Sequence, residues 1–188
     1  NECSSYFWNY SSGDSSLVTA GTLVEVSDAT VTIDDTPTIA ELNAIAAKTT
    51  GVVTATLAAN SLANLSDLTT AGTDAITITV NDADAAALTA ANLSTLGGKT
   101  AGTVTVTNAV EITGDHDQLT AALVTASTKV AVSDATVTIN DADATAITAS
   151  ELAVVGAATT GTVTVTNAVE ITGTTAEMIA ALVTAGTK

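Results

Sequence analysis

The residues most able to do chemistry sit in aspartate-rich corners. These are Asp34-Asp35, Asn81-Asp82-Ala83-Asp84, Asn140-Asp141-Ala142-Asp143 and Asp115-His116-Asp117. Hard oxygen donors two residues apart in a loop suit calcium, and stacking would bring carboxylates of successive turns together. Asp34, Asp35, Asp82, Asp84, Asp141 and Asp143 are therefore the expected metal ligands, and calcium is the one cofactor expected. The same residue types also favour turns and helix N-caps. Asp84 and Asp143 stand directly before helix-like runs, where N-caps belong, and the two roles are compatible. Neither a full EF-hand loop nor a glycine-rich calcium nonapeptide is present.

Threonines form the second constellation. Thr30/Thr32, Thr54/Thr56, Thr77/Thr79, Thr103/Thr105/Thr107, Thr136/Thr138 and Thr162/Thr164/Thr166 alternate with Val and Ile. With Val104 and Val106 turned inward, these threonines face outward as a flat grid. The grid resembles the ice-binding face of β-solenoid antifreeze proteins, and it would equally serve a glycan ligand. Catalysis finds no support. His116 is the single histidine and its counterpart is Thr175, so no Ser-His-Asp or Cys-His set can be assembled. It is read as an exposed loop residue. Glu111 and Glu170 recur without a basic partner, and Gly97-Gly98-Lys99 lacks the spacing of a phosphate-binding loop. Cys3 is the only cysteine, which excludes an intrachain disulfide and a cysteine-based metal cage. Asn9, Asn64 and Asn92 each head a glycosylation sequon, a short motif that arises often by chance. No enzyme is expected.

The elements that hold these residues are repeated. TVTVTNAVEITG occurs at 103–114 and, unchanged, at 162–173, an offset of 59. The same offset maps NDADA, 81–85, onto 140–144, and AALVTASTK, 121–129, onto AALVTAGTK, 180–188. A degenerate copy opens with SDATVTIDD, 27–35, against SDATVTIND, 133–141. The organisation follows: a segment 1–22 rich in aromatics and serine, then copies at 23–72, 73–129 and 130–188.

Each copy splits into two halves. A half opens with a Val/Ile–Thr alternation of period two, passes an Asn/Asp corner and enters a helix-like stretch. It closes on Thr-Gly or Ala-Gly. Units of this size cannot bury an apolar side alone and must stack on their neighbours. The expected fold is a repeat solenoid of about six coils, leucine-rich-repeat-like. Each coil places one strand in a parallel sheet and a short helix on the other side.

Composition bounds the partners. Four Lys+Arg against 20 Asp+Glu give a net charge of −16, and all four cations are lysines. Such a surface does not suit nucleic acid or an anionic membrane. Apolar residues reach 46%, so this is no disordered acidic tail, yet no apolar run approaches a membrane span. Tyr6, Phe7, Trp8 and Tyr10 hold all the aromatics. They are expected either to cap the first coil or to insert into a neighbouring subunit. LVTAGT at 17–22 matches 182–187, so the chain opens and closes on the tail of a coil. Beginning at Asn1, it reads as a processed protein or as part of a longer one. Head-to-tail self-association, which builds filaments rather than closed dimers, is the expected partnership.

On SDATVTIND, NDADA and TVTVTNAVEITG, residues 23–188 resemble the Thr/Ala/Asp-rich tandem repeats of large bacterial surface proteins of adhesin or filament type. The resemblance implies a structural or adhesive role, extracellular or at the cell surface. A ligand-binding module using the Thr/Asp face for calcium, glycan or ice is the alternative.

Overall fold

The computed structural model describes residues 9–10 and 27–184. The elements run β1 (Asn9–Tyr10), β2 (Val31–Ile33), α1 (Ile39–Ala46), β3 (Val53–Thr56), α2 (Leu62–Leu65), β4 (Ala75–Val80), β5 (Ala87–Thr89) and α3 (Ala90–Gly97). They continue with β6 (Val104–Val106), β7 (Glu111–Gly114), α4 (His116–Leu123), β8 (Val130–Ala131), β9 (Thr136–Ile139), β10 (Ala146–Thr148), α5 (Ala149–Gly156), β11 (Val163–Val165), β12 (Glu170–Thr172) and α6 (Thr175–Leu182). The fold is parallel α/β with six short helices among the described residues, and no sheet closes into a barrel.

Every strand pairing among the described residues is parallel, and partners lie 21–26 residues apart in sequence. That distance leaves room for one crossover through a short helix. The sheets run β1-β2-β3-β4-β6-β8, β5-β7-β9-β11 and β10-β12. The expectation of one strand per half is corrected here. In the second and third copies each half also carries a second short strand (β5, β7, β10, β12) directly before its helix. In the first copy that second strand is missing from both halves, and α2 is a single turn.

The second strand creates a sideways step. The 59-residue repeat relates β4 to β9 and β7 to β12. Yet β9 pairs with β7, not with β8. The second strand line of one copy thus becomes the first strand line of the next.

Two local devices make these elements. Helices of eight residues are marginal alone, and here each is pinned at its N-terminus. Thr38, Ser61, Thr89, Asp115, Thr148 and Thr174 are the N-caps, and four of the helices add a reciprocal Glu or Gln to complete a capping box. Asp84 and Asp143 are therefore not the N-caps; Thr89 and Thr148, five residues on, take that role because β5 and β10 intervene. The second device is the Thr-x-Gly corner at 49–51, 100–102 and 159–161. Each threonine hydroxyl accepts from the glycine N–H at 2.8–3.0 Å and donates to the carbonyl of Ala29, Asp74 or Ala135, just ahead of β2, β4 or β9. A Cβ on Gly51, Gly102 or Gly161 would overlap the carbonyl of Ala29, Ile76 or Ala135.

Alternate strand residues turn inward. Val31, Val53, Ile76, Ile78, Val80, Val104 and Val106 meet Leu42, Ile45, Leu93, Leu96 and Leu119 in one cluster that extends from Val31 to Ala181. Leu62, Leu65 and Leu68, spaced by three, are all buried in it. Burying each such leucine stabilises the fold by about 1.5–3 kcal/mol.

Candidate functional site

The aspartate corners tie successive strand–helix units together. Asp82 Oδ2 accepts from the Leu62 N–H at 2.7 Å, and Asp141 Oδ2 from the His116 N–H at 2.8 Å. Each carboxylate thereby sits at the N-terminus of the helix before it, where the helix dipole favours negative charge. The second aspartate of each corner reaches forward. Asp84 Oδ1 accepts from Ala109 N–H at 3.1 Å and Asp143 Oδ1 from Ala168 N–H at 3.0 Å. The corner closes through Ala85 and Ala144, at φ 59° and 63°, in the left-handed region where alanine is uncommon. Their N–H groups donate to the Ala109 and Ala168 carbonyls at 2.8 Å. Asn108 and Asn167 return the contact, each side-chain amide donating at 2.6 Å to the carbonyl of Asp82 or Asp141. Four of the six expected metal ligands are thus bonded to backbone N–H groups, and among the described residues no three of Asp, Glu, His and Cys are placed to hold a metal ion. Asp34 is exposed, while Asp35 buries its Oδ1 atom without a hydrogen-bond partner.

His116 is not the exposed loop residue that its lone occurrence suggests. It opens α4, and its side chain is only 15% exposed, with Nδ1 2.7 Å from Asp141 Oδ1 and Nε2 3.4 Å from Asp117 Oδ1. Burial works against its charging, but the hydrogen bond and charge of Asp141, with Asp117 and Glu151, outweigh it and raise the pKa above 6.5. Hydrogen bonds from the backbone N–H and hydroxyl of each Thr N-cap lower the pKa of Glu41, Glu151 and Glu177.

The threonines do face outward, but not as one grid. Ala75 and Ala131 interrupt the ladder of the first sheet, where Thr54 meets Ala75 and Thr105 meets Ala131. The longest unbroken ladder is Thr89, Thr113, Thr138 and Thr164 in the second sheet. Asn64 and Asn92 lie exposed on α2 and α3. Tyr6, Phe7 and Trp8 lie outside the described residues; of Tyr10 only the backbone, in β1, is described. No helix among the described residues is long and apolar enough to cross a membrane.

Sequence reading points to the last repeat as a docking end but does not name its open face, which is formed by residues 162–183. Val104, Val106, Val110 and Ile112 are buried, with Ile112 at 0% exposure, whereas Val163, Val165, Val169 and Ile171 are only half-buried. Leu123 is 1% exposed and its counterpart Leu182 is 60% exposed; Ile179 and Val183 stand at 50% and 72%. What covers 103–114 is the chain that follows, through β8 on β6 and β9 on β7. No described element plays that part for 162–173. Repetition in the sequence was the available signal, since identical strings invite a comparison of their surroundings.

Compared with family models, curated proteins and solved structures, the chain matches none.

Proposed function

We propose that this chain is a solenoid of about six coils that serves as an extracellular structural subunit, stacking head to tail into filaments or long surface rods. The observation that carries the reading is the apolar face at 162–183, whose counterpart, identical over 103–114, is buried by the next coil. Burial of apolar surface drives such an association, and a contact between two different ends of one chain propagates without closing. A charge of −16 keeps the sides of the rod apart. The acidic, arginine-free composition and the resemblance to bacterial surface repeats support the location outside the cell. Electron microscopy and sedimentation of the full chain test the reading. Filaments, with mass rising steadily with concentration, are expected; a constant mass of 18.4 kDa at high concentration contradicts it.

A further inference from the structure

We infer that the joint between copies is made by residues 27–35 of one copy seated on β12 and the N-terminus of α6 of the copy before it, and that β1 holds this place in the single chain. The inference rests on the head-to-tail reading and gives the contact its residues. Residues 22–35, TLVEVSDATVTIDD, match 128–141, TKVAVSDATVTIND, at eleven of fourteen positions. The chain therefore already carries, near its start, the segment that covers 103–114 from within. Inside the chain that cover pairs Glu111 with Thr136, Ile112 with Val137, Thr113 with Thr138 and Gly114 with Ile139. Carried across the repeat, Glu170, Ile171, Thr172 and Gly173 meet Thr30, Val31, Thr32 and Ile33 of a second copy.

Two groups fit this joint. Asp35 occupies the corner position of Asp82 and Asp141, both of which cap the helix before them. Its Oδ1 atom is buried and unbonded in the single chain. At the other end, Thr175 opens α6 as His116 opens α4. No acceptor among the described residues bonds its N–H. The Asp141–His116 tie thus reappears as Asp35 of one copy on the Thr175 N–H of the other. An unsatisfied buried carboxylate oxygen is costly, so this bond favours the joint.

The edge of β2 that must receive β12 is held by β1, through Asn9 on Thr32 and Tyr10 on Ile33. These occupy the ladder positions that Thr113 and Gly114 take on β9. Two positions stand where the joint offers four, and β1 supplies nothing for Asp35. The exchange replaces a short edge pairing by a longer one of the same register.

Paired cysteines in the full-length chain test the joint, with Cys3→Ser to silence the native thiol. Thr32→Cys with Thr172→Cys should give a ladder of disulfide-linked multimers on oxidation, since those residues meet only across the joint. Filaments without that ladder would overturn the joint while leaving head-to-tail stacking intact; absence of any multimer would overturn both. Asn9→Cys with Thr32→Cys should lock β1 in place and hold the chain monomeric until reductant is added. Assembly of the locked chain would refute displacement of β1. Asp35→Asn should weaken association about tenfold or more, and unchanged association would remove Asp35 from the joint.

Discussion

Residues 103–114 and 162–173 are the same twelve amino acids in two different settings. Both form two short strands followed by a capped helix, so local structure follows the sequence in each. Burial does not. Ile112 is sealed while Ile171 is half-open, because β9 covers the first and no described element covers the second. Core formation here is therefore a property of neighbours: the same residues are buried only where a further strand lies against them.

The largest effect should come from truncating the two isoleucines. Ile112→Ala should cost about 2–5 kcal/mol in urea unfolding, by lost transfer energy and an unfilled cavity. Ile171→Ala in dilute monomer should cost about 1 kcal/mol or less, because its surroundings are already open. Equal losses at the two sites would break the comparison.

The Asp141 tie comes next. Asp141→Asn should destabilise the chain by about 2–3 kcal/mol, since it weakens one charge-assisted bond to the His116 N–H and another to its ring. The His116 pKa, followed by NMR, should fall at the same time. In the parent chain that pKa is raised, so its contribution is complete below pH 6.5 and is lost as pH climbs through the raised value. Stability that rises between pH 6 and pH 8 at this site would contradict the assignment.

Smaller effects separate the helix caps. Thr148→Ala should cost about 1 kcal/mol, because α5 is packed between α4 and α6. Thr174→Ala should cost less than about 0.5 kcal/mol in the monomer, because α6 packs against α5 and no described element covers its other side. Smallest is the acid limb from Glu41, Glu151 and Glu177. Their lowered pKa values give stability present above pH 4.5 and lost as pH falls through those values. Acid titration of the capping-box amides reads it directly.

Much of this was legible from residue order. The 59-residue repeat, the inward Val/Ile faces and the Thr-Gly corners all follow from local spacing. The second strands did not stand out, because EIT at 170–172 and AIT at 146–148 are three residues long, too short for alternation to separate strand from corner. The sideways step of β9 onto β7 is a tertiary choice with no local mark. The corner aspartates were recognisable as candidates by type alone. Their partners lie 20–25 residues away in the chain, at Leu62, Ala109, His116 and Ala168. No local pattern points there: residue order suggests that Asp84 and Asp143 cap the adjacent helix, whereas they bond amides further along the chain and Asp82 and Asp141 cap the helix before.

The most direct test is amide hydrogen exchange, resolved residue by residue by NMR, over 104–113 and 163–172. The two stretches share sequence and so share intrinsic exchange rates; only their surroundings differ. At low concentration the second stretch should exchange much faster than the first. As concentration rises and copies stack, its protection should climb to that of 104–113. Protection of 163–172 that is already equal in the monomer, or that never changes with concentration, would contradict the claim that this coil's cover comes from a second copy.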